Sequence, residues 1–85
     1  MTDPYVALAG GVVNAALQDI RKPDNLLCAV DAADFLLRRL WDEDSLWLDL
    51  IGQALVPREV RRRVMAVMHP LVRERLSLRL RRLAG

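Results

Sequence analysis

The sequence predicts an all-α fold: one helical domain over residues 1–85, a small bundle of four to five short helices. Three observations carry this expectation. The apolar share is 53%, made of Leu, Val and Ala with only one Phe, one Tyr and two Trp, an inventory that suits helices better than a β-sandwich. Apolar residues return at three- and four-residue intervals along successive stretches. Proline or Asx residues head three of those stretches, at Asp3-Pro4, Asp24-Asn25 and Pro57, where helices begin. A chain of 85 residues holds one small core, which a homodimer or a bound partner would enlarge.

The first helix is expected from about Pro4 to Arg21, capped by Asp3, with Tyr5, Leu8, Ala9, Val12, Val13, Ala16, Leu17 and Ile20 at helical spacing. Gly10 and Gly11 in its middle each cost about 1 kcal/mol relative to alanine. They predict either close packing of another helix, the favoured reading, or a bend. After the turn Arg21-Lys22-Pro23-Asp24-Asn25, a second helix is expected over about Asn25 to Leu40. Its inward face is Leu26, Ala29, Val30, Ala33, Leu36, Leu37 and Leu40, with Asp31, Asp34 and Arg38 on the other side and Cys28 a small core residue at the seam.

The third helix is expected over about Glu43 to Ala54, with Leu46, Trp47, Leu50, Ile51 and Ala54 inward and Trp47 as the buried anchor. Pro57 opens a fourth, to about Met68, whose apolar stripe is Val60, Val64, Val67 and Met68. His69-Pro70 interrupts it, because proline disfavours helical geometry in the residue before it. His69 is read as a helix C-terminal residue. The tail, about Leu71 to Leu83, places Val72, Leu76, Leu80 and Leu83 at helical spacing. Its run Leu76 to Arg81 also alternates with a period of two, yet no second strand candidate exists to pair with it.

Charge is segregated along the chain. Residues 1–56 carry nine acids and four bases, and residues 57–85 carry nine arginines and two glutamates, a formal −5 against +7 behind a net charge of +2. The basic part needs anionic company: the chain's own acidic half, a second copy, or an acidic partner. Twelve arginines stand beside the single Lys22, and arginine is the better bidentate ligand for phosphate and carboxylate.

The composition argues against catalysis. Cys28 and His69 are the only residues of their types, so no cysteine-based zinc site or intrachain disulfide is available. A Cys28–His69 nucleophile pair would join residues of different helices. Gly10-Gly11 lies within a helix and is not followed by the lysine of a phosphate loop. No cofactor and no metal are expected. The stretch Tyr5 to Leu17 is short and glycine-interrupted for a membrane span, and Met1-Thr2-Asp3-Pro4 lacks the basic start of a signal peptide. The expectation is a cytoplasmic protein without membrane contact.

Two recognition surfaces remain. Leu46 to Met68 forms a helix, a tight break and an arginine-decorated helix, the outline of a helix-turn-helix-like unit. The turn lacks the common glycine, and no Asn or Gln stands on the second helix to read adenine. Arg58, Arg61, Arg62 and Arg63 would therefore supply both the phosphate grip and any guanine contacts. The plainer reading is a solvated basic face. In the tail, Arg73, Arg75, Arg79, Arg81 and Arg82 ring a leucine stripe that suits an acidic partner better than a membrane, since it lacks interfacial aromatics. The plainer reading docks that stripe on the other helices and pairs its arginines with Asp31, Asp34 and Asp42 to Asp44. The loop Asp42, Glu43, Asp44 is the alternative partner surface.

Ala9 to Val13 through Leu17 and Asp19, Asp31-Ala32-Ala33-Asp34-Phe35-Leu36, Ser45 to Leu55 with Trp47, and Val60-Arg61-Arg62-Arg63 together resemble a group of small helical proteins encoded by phages and prophages, over about residues 9–65. Where that group has a Gly-Leu-Asp-Pro turn, this chain has Leu55-Val56-Pro57. The resemblance implies a mobile-element origin, and with it either transcriptional control or interference with a host machine, anti-CRISPR proteins being one such class. The expected function is a non-enzymatic regulatory module that binds nucleic acid through Arg58, Arg61, Arg62 and Arg63, with Arg75, Arg79 and Arg82 adding to the basic surface. The alternative is a protein-binding inhibitor or adaptor with a mixed-charge host partner.

Overall fold

The computed structural model describes residues 4–22 and 24–84. It contains α1 (Pro4–Arg21), α2 (Leu26–Leu37), α3 (Leu46–Ile51), α4 (Pro57–Val67) and α5 (Pro70–Ala84), with single 3-10 turns at Arg39–Trp41 and Gly52–Ala54. No strand occurs among the described residues, so the all-α expectation holds and the tail is helix. Asp3, the expected cap of α1, and Pro23, in the expected turn before α2, lie outside the described residues. The bundle is elongated, 42 × 28 × 20 Å, with a radius of gyration of 13.0 Å.

α2 is the central element: α1, α4 and α5 all pack on it. Its start is set by Asn25, whose side-chain oxygen accepts the Cys28 N–H at 3.2 Å, a standard N-cap. Ala29, Ala33 and Leu36 are fully buried, and the two alanines, four apart on one face, let neighbouring helices approach closely. The helix ends where Arg38 leaves helical geometry (φ −136°, ψ −60°). The Trp41 indole N–H then donates to the Leu36 carbonyl at 2.9 Å, satisfying one of the acceptors that a helix C-terminus leaves open. Around α2 the core is completed by Val13 and Ile20 of α1, Leu40, Ile51 of α3, Val60 and Val64 of α4, and Val72 and Leu76 of α5.

α1 has the predicted bounds and runs through its glycine pair without interruption. The expectation of close packing there is overturned: Gly10 and Gly11 are exposed, and a Cβ added at either meets nothing within 4 Å. The second helix stops at Leu37 rather than Leu40. Two of its residues exchange sides relative to expectation, and the helical angle explains both. With successive residues about 100° apart, Val30 and Asp34 share a flank of the buried arc, so Asp34 is only 3% exposed. Cys28 falls opposite that arc and is exposed rather than a core residue.

The third helix differs most. It is confined to Leu46–Ile51, and of its expected inward residues only Ile51 is buried. Leu46 is 76% exposed, Trp47 39%, and Leu50 and Ala54 are exposed as well. α3 rests mainly on α1 and on the flanking 3-10 turns, so a helix of under two turns has one face to cover and several apolar residues to place. Trp47 is therefore not a buried anchor; it meets Phe35 edge to face, with ring centroids 6.2 Å apart. In the tail, Val72 and Leu76 are buried as expected, but Leu80 and Leu83 are exposed. His69 is the N-cap of α5, not the end of α4, since its Nδ1 accepts the Leu71 N–H at 3.1 Å.

These packing differences set measurable stabilities. Leu36→Ala should destabilise by about 2–5 kcal/mol in urea unfolding, whereas Leu46→Ala should stay within about 0.5 kcal/mol. Gly10→Ala and Gly11→Ala should each stabilise by roughly 0.4–1 kcal/mol, because helical geometry suits alanine and open space receives the methyl group. A loss of stability at either glycine would restore close packing as its role.

Candidate functional site

α4 is built to present cations. Pro57 occupies its first turn, where the missing N–H costs nothing. Val60 and Val64 are buried, and Val67 and Met68 are half-buried against the core. That anchors one side and leaves Arg58, Arg61, Arg62 and Arg63 exposed on the remaining circumference. By helical angle Arg58 and Arg62 lie opposite the anchored stripe, with Arg61 and Arg63 on its two flanks. Arg62 forms an ion pair with Glu59 of the same helix, and Arg63 donates to the Asn14 side-chain oxygen of α1 at 3.3 Å. Arg58 and Arg61 have no side-chain partner among the described residues. The hydrogen bond from Arg62, with a smaller contribution from the Arg62 and Arg63 charges, holds the Glu59 carboxyl below its ordinary range. The same contact raises Arg62.

Beside this ridge, a depression of about 370 Å³ between α1 and α4 has Leu17 and Val67 on its apolar side and Asn14, Gln18, Arg21 and Arg63 on its polar side. The sequence reading missed Asn14, Gln18 and Arg21. Their spacing of four and three residues places them on one face of α1, a signal overlooked because the apolar stripe of that helix dominated its pattern.

Arg75, Arg79 and Arg82 belong to a different place. They share a flank of α5 and border a groove of about 600 Å³ against the first turns of α2. Arg79 is half-buried and bonds to Asp31 of α2 at 2.5 Å, while Arg75 and Arg82 are exposed. The structure thus does not join all seven arginines into one site.

The expected neutralisation of the tail by the acidic half occurs only at Arg79–Asp31 among the described residues. Asp34 is engaged by Arg38, both oxygens accepting guanidinium hydrogen bonds at 2.9 Å, a bidentate pair. Hydrogen bonding to Asp34, then its charge, raises Arg38. Asp42, Glu43 and Asp44 are exposed. Asp42 and Asp44 border a shallow cleft of about 450 Å³ with Phe35, Arg39, Leu46 and Trp47, and no described tail arginine pairs with them.

The helix-turn-helix-like unit lacks the proportions of its type. α3 has six residues, about 9 Å of helix, and α4 draws its support mainly from α1 and α2. No group of three or more His, Cys, Asp or Glu side chains among the described residues is placed to hold a metal ion. No described helix is long and apolar enough to cross a membrane. Comparison with protein-family models, with curated proteins and with solved structures finds no match to this chain.

The Glu59–Arg62 pair offers a direct check on the α4 surface. NMR titration should give Glu59 a midpoint below that of an ordinary glutamate, moving upward in Arg62→Ala. Since folding lowers this pKa, the pair's support for the native state is present above the unfolded-state value and is lost as pH falls through the folded one. An unshifted Glu59 would mean that Arg62 is free in solution.

Proposed function

We propose that the chain is a non-enzymatic binding module that grips nucleic acid through the cationic face of α4. One observation carries the reading: among the described residues, no carboxylate of the acidic half pairs with an α4 arginine. Arg58 and Arg61 lack partners among the described residues. Arg63 is held by a neutral amide, and the partner of Arg62 comes from α4 itself. An exposed pair of this kind contributes little and yields to a stronger anion. Arg21, reaching the same flank from α1, extends the cationic track by one further side chain.

The chemistry favours phosphate over base edges. α4 carries no Asn or Gln, the residues that read adenine, and its short companion α3 gives little support for lodging a recognition helix in the major groove. Guanidinium–phosphate contacts position a protein without specifying sequence. Such a module suits the regulatory role that the resemblance to small phage proteins would give it. A second reading, a protein-binding inhibitor or adaptor, is favoured by a different observation: Leu27, Leu78 and Leu83 stay exposed around the α2–α5 groove, and phosphates would leave them in water.

Duplex binding measured across a salt series tests the first reading. Log affinity should fall against log salt with a slope of about −0.9 for each phosphate contact, and Arg58→Ala and Arg61→Ala should each reduce it by about one contact. Absence of DNA or RNA binding at low salt would overturn the reading. So would an unchanged slope in both variants.

A further inference from the structure

α5 is longer than the surface that receives it. Val72 and Leu76 are buried on the bundle, and Leu83, seven residues after Leu76, returns to the same side of the helix. Yet Leu83 is 63% exposed. It lies instead at the mouth of the α2–α5 groove, whose apolar walls also include Leu26, Leu27, Val30 and Leu78. Val30 is buried and Leu26 half-buried. Leu27 is 64% exposed, and Leu78 is exposed as well. The trough between the two helices thus has an apolar floor and uncovered apolar rims.

The border of the trough is cationic. Arg79 is committed to Asp31, whereas Arg75 and Arg82 have no acidic partner among the described residues. We propose that this groove docks an acidic amphipathic α-helix of a partner protein, with its apolar residues against Leu27, Leu78 and Leu83 and its carboxylates on Arg75 and Arg82.

Three physical requirements select that occupant. An apolar trough between two helices is the shape that receives the apolar edge of a third. From Arg75 to Leu83 the α5 wall rises about 12 Å, and apolar anchors at positions i, i+4 and i+7 of a partner helix span about 10.5 Å. The groove volume of about 600 Å³ falls in the range of concave sites that bury a ligand-sized apolar group. Charge complementarity fixes the sign of the partner, since a basic helix would face Arg75 and Arg82 across a desolvated rim.

Other anions fit less well. A nucleic acid would satisfy the arginines but leave the leucines wet, and no aromatic side chain lines the groove for bases to stack on. A bilayer covers convex apolar faces, whereas these leucines line a concavity. The chain's own acidic and apolar helix, α3, has only six residues and is already seated on α1, so a second copy would fill the trough incompletely. The inference uses a surface separate from the α4 ridge and stands without nucleic-acid binding.

Fluorescence anisotropy with the full chain tests it. The probe is a labelled peptide of about 18 residues, ~27 Å as a helix, with leucines on one face and glutamates elsewhere. One control has the same composition with leucines spread around the helix, and another has lysine in place of glutamate. The amphipathic acidic peptide should bind at least about tenfold more tightly than either control. Leu83→Glu and the double change Arg75→Glu with Arg82→Glu should each weaken it at least about tenfold. These residues are exposed, so circular dichroism should show native helicity in both variants; the arginine double variant keeps the test valid if Leu83→Glu misfolds. Chemical-shift changes should concentrate at Leu27, Val30, Leu78 and Leu83. Equal binding of the rearranged acidic peptide would overturn the proposal, as would retained affinity in folded Leu83→Glu. It would also fall if duplex DNA or anionic vesicles displaced the peptide from the groove, or if the chain dimerised through the groove and Leu83→Glu released the monomer.

Discussion

The burial of α2 is the constraint on which the rest of this structure depends. Three helices draw on the same short surface, and Ala29 and Ala33 give them room to approach it. Each of those helices commits an apolar stripe to α2 and the surrounding core, which fixes by elimination what it shows to solvent. For α4 that remainder is arginine; for α5 it is arginine interleaved with leucine. The candidate surfaces are therefore consequences of core packing rather than separate additions to it. A cationic face emerges on α4 because, apart from the buried valines at positions 60 and 64, its first two turns carry only charged residues after Pro57.

The same constraint explains how a carboxylate comes to be buried in a chain with ample surface. Asp34 shares a flank with Val30, and covering one covers the other. The helix meets this with Arg38, one turn later, which reaches back with two hydrogen bonds to the carboxylate while remaining partly in solvent. A buried charge left without such a partner would cost several kcal/mol. The backbone N–H of Arg38 also donates to the Asp34 carbonyl at 2.9 Å, so the residue that neutralises the acid marks the point where the helix stops.

Much of the fold was legible because helix starts and apolar spacing are local properties. Pro4 and the stripe from Ala9 to Ile20 gave α1 its bounds, Pro57 marked the start of α4, and Pro70 marked the break between α4 and α5. The four arginines of α4 were legible for the same reason, as the complement of a valine stripe. What could not be read was how much covering surface each stripe would find. Leu46, Trp47, Leu50, Leu80 and Leu83 have the spacing of core residues and remain exposed, because periodicity records which side would be buried but not the length of the neighbour. Asp34 was misplaced by a small error in where the buried arc of α2 is centred, whereas Cys28 was assigned to the seam although it stands opposite that arc. The α2–α5 groove depends on where one helix crosses another, and no local pattern encodes that. Arg21 was within reach, since its spacing from Asn14 and Gln18 already placed all three on one side of α1.

The central position of α2 also orders the way in which the chain assembles. α1 and α2 are neighbours in sequence and pack on each other, so their contact closes a short loop and forms with little loss of chain entropy. α5 must find α2 across the whole intervening chain, so of the three helices that pack on α2 it closes the longest loop. During synthesis from the N-terminus, the acidic half emerges first and can collapse around α2 before the nine arginines of residues 57–85 leave the ribosome. The basic helices are then the later additions, received by a scaffold already gathered around α2.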